Sequence, residues 1–303
     1  MEAAPDLRHS QFVKASSHPK AAAGLWPARR ILAWSLAGLL VAASLSTSWR
    51  VPSADSTDSS ADSGSITAAV APPAFRETLP AAPRPFQKGE SLKFTVQYGF
   101  IHAGYAYLEV PEVREWNGRS VYSLVARAES NNFFSKFYKV RNRIESYWDT
   151  LGHVSMRYAE NRREGKYRAR SEIVFDYAKQ QALYQDGETF PIPPEVQDAL
   201  SSFYYTRLQA LPLGGSVVFD YHASRKSQPL EVRILGRQRV ETPAGKFNCV
   251  AIEPILKAGG IFKSKGRLVI WLTDDERRMP VMMKSKVLIG SISALLVNAK
   301  TGT

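Results

Sequence analysis

An in-and-out alternation of apolar and polar side chains begins near Phe86 and recurs almost to the C-terminus, and it restricts the fold of this chain more than any other feature. Side chains on a β-strand point alternately to opposite faces, so a period of two marks extended segments with one buried face. In SLKFTVQY, Leu92, Phe94, Val96 and Tyr98 alternate with Lys93, Thr95 and Gln97. VRNRIESYWD sets Val140, Ile144 and Trp148 against Arg141, Arg143, Glu145 and Tyr147. RARSEIVFDY, LEVRIL, FNCVAIE, RLVIWLT, PVMMKSKV and ISALLV continue the series, and WNGR, QDGE, LPLGG, TPAGK and KAGG supply turn residues between runs. One stretch departs from the rhythm. EVQDALSSFYYTRLQAL places Val196, Leu200, Phe203, Tyr204 and Leu208 at helical spacing after Pro193 and Pro194, which predicts one helix near 195–209. The expected class is mainly β: a single curved antiparallel sheet, either an open barrel or sandwich-like, because a sheet of about a dozen strands has to curl or fold over.

The chain ahead of this domain divides into three. Residues 31–49, ILAWSLAGLLVAASLSTSW, carry no charge; Lys14, Lys20, Arg29 and Arg30 precede them, and Asp55, Asp58 and Asp62 follow. This asymmetry predicts residues 1–30 inside, a transmembrane anchor or signal peptide at 31–49, and everything after it exported. Residues 50–85, rich in Ser, Ala, Asp and Pro, read as a disordered linker. The β domain then runs over 86–303.

Eight basic and six acidic residues precede Phe86, so 32 basic and 22 acidic residues follow it, and the basic excess belongs to the domain. Such a surface favours anionic partners. The densest cluster is Arg157, Arg162, Arg163, Lys166, Arg168 and Arg170, with Tyr158 and Tyr167 interleaved. It reads either as a solvated strand face or as a docking surface for lipid or envelope polysaccharide, with Arg162, Arg163, Lys166 and Arg168 as the anionic contact. Export argues against nucleic acid. NNFFSKFYKV supplies Phe133, Phe134, Phe137 and Tyr138; these are either core and lid residues or, with Phe94, Val96 and Trp148, the lining of a site for an apolar ligand.

Signals for chemistry are sparse. Cys249, the single cysteine, sits in an apolar strand-like run and reads as a buried, inert thiol. His102, His153 and His222 show no metal-ligand spacing, and no nucleophile elbow or phosphate loop occurs, so neither metal nor cofactor is expected. The charged run Asp274, Asp275, Glu276, Arg277 and Arg278 lies between two apolar stretches and reads as a wet hairpin turn. The alternative is an acid pair working with His102 or His153.

The segments FQKGESLKFTVQYGFIHAGYAYLEV, FYKVRNRIESYWD, RREGKYR, VQDALSSFYYTR, ETPAGKF and GRLVIWLTDDERRMPVMMKSKVLIGSISALL occur in an order that resembles the DUF3108 family of exported bacterial proteins, over about residues 86–298. The resemblance implies a β-rich envelope protein and no reaction. The leading expectation is therefore a non-catalytic, membrane-tethered periplasmic domain that binds an apolar or amphiphilic ligand or an envelope partner. An exported hydrolase acting on envelope polymer and a purely structural scaffold are the alternatives. The oligomeric state is left open.

Overall fold

The computed structural model describes residues 85–256, 267–286 and 290–302. The segments 1–30, 31–49 and nearly all of 50–85 lie outside the described residues. The first half of the domain contributes β1 (Ser91–Tyr98), β2 (Ile101–Trp116), β3 (Arg119–Ser130), β4 (Val140–Asp149), β5 (Ser155–Glu164), β6 (Tyr167–Asp176), β7 (Gln181–Tyr184) and β8 (Thr189–Pro191). The second contributes β9 (Ser216–Ala223), β10 (Lys226–Thr242), β11 (Gly245–Leu256), β12 (Leu268–Thr273), β13 (Pro280–Lys286) and β14 (Ser291–Lys300). A short helix α1 (Asn132–Ser135) lies between β3 and β4, and α2 (Ser201–Leu208) lies between β8 and β9.

All fourteen strands form one antiparallel sheet in the order β8-β7-β6-β5-β4-β3-β2-β1-β14-β13-β12-β11-β10-β9. Each half is a meander of hairpins, and the two are joined where β1 pairs with β14. The alternation seen in the sequence is the burial pattern of the strands. Leu92, Phe94 and Val96 are buried while Ser91, Lys93 and Thr95 are half-exposed, and β4 repeats this with Val140, Asn142 and Ile144. The inward faces of both halves contribute to one apolar core, which also takes in Tyr204 of α2 and Phe86. In β2 the register shifts between Glu109 and Glu112, spanning Pro111, which lacks an N–H to donate to a ladder.

The edge strands β8 and β9 are not paired as a ladder, yet the chain between them brings the edges together. Gln197 forms a parallel bridge with Tyr221 of β9: its N–H donates to Asp220 O (2.9 Å), and its own carbonyl accepts from His222 N–H (2.8 Å). Val196 O accepts from Ser155 N–H on β5 at 3.1 Å. Residues 196–198 are thus a strap inside the sheet's seam. This corrects the expected helix at 195–209, which begins at Ser201. The Val196 carbonyl and both backbone groups of Gln197 are spent on β5 and β9, and the Asp198 carboxylate takes the N–H groups of Leu200 (2.8 Å) and Ser201 (2.9 Å). The other helix, α1, is an addition to the expected elements. Asn131 Oδ1 caps it by accepting from Phe134 N–H at 2.8 Å.

Candidate binding surface at one end of the sheet

Antiparallel succession puts the β1–β2, β3–β4, β5–β6, β7–β8 and β9–β10 connections at one end of the sheet, hereafter the tip end. The β12–β13 turn, α2 and the start of β1 lie at the other. The tip end carries large apolar side chains in water. Phe100 is 103% exposed, Ile101 54%, Phe133 63% and Phe137 65%. Phe133 packs edge-on against Phe134 (5.7 Å) and Phe137 (5.5 Å), so the α1 aromatics form one cluster. The two loops are continuous: Asn131 Nδ2 donates to His102 O (2.7 Å) next to Ile101. On the far side, Gly165 N–H at the β5–β6 tip donates to Lys139 O (2.8 Å), and Gly165 lies flat on the Tyr138 ring. A Cβ there would approach Tyr138 Cε2 to 2.7 Å, and its φ of +57° also favours glycine.

Cations border this apolar strip. On the outer face Arg141 of β4, Arg163 of β5 and Arg168 of β6 are directly opposed across the two ladders. Like charges in that arrangement repel. Arg141 is neutralised by Glu129 (3.1 Å), and the Arg168 guanidinium donates to the carbonyls of Gly165 and Tyr167, both at 2.7 Å. Among the described residues Lys136, Lys139, Arg163, Lys166 and Arg170 have no carboxylate partner. Farther from the tips the same face is paired: Arg127 with Glu109 and Arg157 with Glu172.

The residues singled out in the sequence are divided by this geometry. Arg163, Lys166 and Arg168 lie on the outer face at the tip end. Arg162 does not: it turns inward, pairs with Glu160 (3.3 Å) and Glu164 (3.1 Å), and is thereby removed from any outer contact. The six lining candidates fall into two groups that do not meet. Phe94, Val96 and Trp148 are buried in the packed core, Trp148 beside Phe86 (5.9 Å) and donating through Nε1 to Gln197 Oε1 (3.0 Å). Phe133, Phe134 and Phe137 sit on α1 and its trailing loop, where a period of two no longer applies.

Asp274–Arg278 is the turn between β12 and β13. Asp274 accepts from Arg237 Nε (2.5 Å), and Glu276 is exposed. Burial alone would raise the Asp275 carboxyl, but hydrogen bonds from Thr273 Oγ1 (2.6 Å) and Arg277 hold it below the ordinary carboxylate range. His102 lies at the tip end, where its Nε2 donates to Gly104 O (2.9 Å). His153, in the β4–β5 turn, packs at a tilt against Trp148 of β4 (ring centroids 5.2 Å apart), and β4 is six ladders away from β12. The acidic cluster and the imidazoles are therefore on separate elements. Cys249 is buried, and burial, followed by Asp275 and Asp274, pushes its thiol up to about 11.

Sequence reading missed two buried polar groups. Asp198 is 1% exposed, accepts from Ser146 Oγ (2.6 Å) as well as from the Leu200 and Ser201 N–H groups, and has its carboxyl raised by burial against the pull of those bonds. Its two oxygens divide the work: Oδ1 takes both backbone donors, and Oδ2 takes the serine. An amide fits the same sites, with the serine turned to accept. Asp198→Asn is expected to stay within about 1 kcal/mol of the parent, and Asp198→Ala to lose about 2 kcal/mol by leaving two buried N–H groups unpaired. Urea denaturation at neutral pH distinguishes the two. The other missed group is the pair Glu90 and Arg207, both buried.

Fold and surface together define an open, single-sheet antiparallel β protein that is barrel-like in its closure. The chain belongs to the DUF3108 family: that family's model, described as a protein of unknown function, matches residues 93–297. No curated protein matches. Among solved structures, a β-barrel-like protein of domain of unknown function DUF1849 from Brucella abortus is 10% identical with a TM-score of 0.47, the match covering 71% of this chain and 98% of that one. An exported protein with a YmcC-like fold from Bacteroides fragilis is 14% identical with a TM-score of 0.29, covering 72% and 98%. A lipoprotein from Parabacteroides distasonis is 10% identical with a TM-score of 0.32, covering 71% and 98%.

Proposed function

We propose that this protein is a non-catalytic binding module of the bacterial cell envelope, held in the periplasm by residues 31–49 and engaging an amphiphilic, anionic partner through the outer surface of its tip end. The observation that carries this reading is the placement of its large apolar side chains. The inward positions expected to line a ligand site are packed, with Phe94, Val96 and Trp148 in contact with the core that includes α2. Phe100, Ile101, Phe133 and Phe137 instead stand in water, and Lys136 and Lys139 share the segment of Phe133 and Phe137 with no carboxylate partner among the described residues. Contiguous exposed apolar surface rimmed by polar residues marks interaction sites in soluble domains. The uncharged run at 31–49 and the Ser/Ala/Pro-rich stretch after it support export and tethering.

The test is photocrosslinking in cells from probes placed at Phe133 and Phe137, with probes at Arg239 and Glu276 as controls. Crosslinks from the first pair alone are the expected result; crosslinks from neither pair, or equally from both, refute the reading. The hydrolase alternative makes its own prediction. Asp274→Asn with Asp275→Asn would abolish function at unchanged melting temperature if these carboxylates did chemistry. We expect function to be retained, with a stability change within about 1 kcal/mol, because both groups are partly exposed turn residues in surface ion pairs.

A further inference from the structure

Resting on that reading, we infer that the tip end docks on the surface of an anionic phospholipid bilayer. Phe100, Ile101, Phe133 and Phe137 enter the headgroup region, and Lys136, Lys139, Lys166 and Arg168 meet lipid phosphates. The apolar residues sit at the points of adjacent hairpin connections rather than in a groove, so they present a rim suited to a broad surface. Phe133 and Phe137 hold each other in place at 5.5 Å, and the Lys139 to Gly165 bond ties their loop to the tip bearing Lys166. Charge complementarity favours an anionic surface. The acids at the facing tips lie in ion pairs, Asp186 and Glu188 sharing Arg225 and Glu129 pairing with Arg141. The cations beside the aromatics keep their charge for a partner. An acidic polysaccharide would satisfy the cations and leave Phe100 in water; a bilayer satisfies both. Each Lys or Arg near an anionic leaflet strengthens attachment roughly fivefold.

The chain enters the domain at the opposite end, beside Pro85 and Arg207. A probe at each end therefore separates rim docking from insertion of the segment at 31–49. Phe100→Cys and Glu276→Cys, two exposed positions in a chain whose native Cys249 is buried, are labelled with an environment-sensitive fluorophore in the full-length protein. The labelled protein is mixed with vesicles of phosphatidylcholine alone or with phosphatidylglycerol. A blue shift of the Phe100→Cys probe is expected with phosphatidylglycerol vesicles only. It should vanish in high salt, and Lys166→Glu with Arg168→Glu should weaken it at least about tenfold; the Glu276→Cys probe should not move. No shift at Phe100→Cys, or an equal shift on phosphatidylcholine, overturns the inference. If the cellular crosslinks from Phe133 and Phe137 then form to a protein, the tip end stands as the binding surface and the bilayer is the wrong occupant. If no crosslinks form, both readings fall.

Discussion

Replacing Arg207 by methionine is expected to lower the free energy of unfolding by about 3–5 kcal/mol, chiefly because it strands the Glu90 carboxylate in the interior without its counter-charge. The Arg207 side chain is 0% exposed and that of Glu90 is 5%. The guanidinium donates to both carboxylate oxygens, at 2.7 and 2.8 Å, and to the carbonyls of Pro85 (2.9 Å) and Arg277 (3.1 Å). Its plane lies near the rings of Phe86 and Tyr204. One side chain therefore ties the start of the domain to α2 and to the β12–β13 turn. Without it, Glu90 must stay charged in a dry site or take up a proton, and both are costly. The double change Glu90→Leu with Arg207→Met removes both charges, and buried pairs replaced by apolar residues often cost little. We expect it to recover at least half of the loss. Denaturant midpoints with unchanged slopes would report this directly. An Arg207→Met variant as stable as the parent would show that the pair does not staple the start of the domain to α2 and the β12–β13 turn.

How far the sequence announces this architecture differs between parts of the chain, for physical reasons. The strands are legible because each has one face in the core, so that Leu92, Phe94 and Val96 recur every second residue and Val140, Ile144 and Trp148 keep to the same alternate positions, with Asn142 and Ser146 between them. The turn reading of Asp274–Arg278 follows from the same logic, since charges between two apolar runs belong where strands reverse. The helix boundary is not legible. Val196 and Leu200 sit at helical spacing, but both are buried by the strap and the turn that precede α2, and tertiary hydrogen bonds to β5 and β9 decide the backbone. Side-chain direction at the basic cluster is hidden for a related reason. Arg162 and Arg163 are neighbours in sequence and therefore face opposite sides of β5, so only one of them reaches the outer surface. The aromatics of NNFFSKFY carry a compositional signal without a direction. They lie where the chain leaves one strand and enters the next, and only Asn131, a helix-capping residue type, marks the short helix that carries them. Long-range pairs such as Arg207 with Glu90 leave no local pattern.

Acidification is expected to weaken the fold through His222. This residue lies where the two edges of the sheet meet, is 1% exposed, and packs edge-on against Phe175 at 5.8 Å. Arg225 N–H donates to the Tyr184 hydroxyl (2.8 Å), which leaves that hydroxyl free to donate to His222 Nε2 (2.9 Å). Nδ1–H then donates to Ser227 Oγ (2.8 Å), which passes its own proton towards Pro191 O (3.3 Å). The chain of donors links β7 and β8 to β9 and β10, and it requires a neutral ring. Burial pushes the imidazole down to about 4. An unfolded histidine titrates near its ordinary value of about 6.5. The folded value is the lower one, so the unfolded chain binds more protons in between. The contribution is therefore complete above about 6.5 and is lost as pH falls towards about 4, for a total of the order of 3 kcal/mol. Asp198 acts with the opposite sign. Its folded carboxyl is raised, so its contribution is present at low pH and lost as pH rises through that raised value. Comparing His222→Phe with the parent in an Asp198→Asn background isolates the histidine. The charged groups on the facing tips, Arg225 with Asp186 and Glu188, are common to both chains. Urea titrations at pH 7 and pH 4.5 should show a large loss in the parent and a much smaller one in the phenylalanine variant. Equal losses would mean that His222 charges without disturbing the seam, where Arg225 N–H to the Tyr184 hydroxyl and the strap at 196–198 would remain as closing bonds.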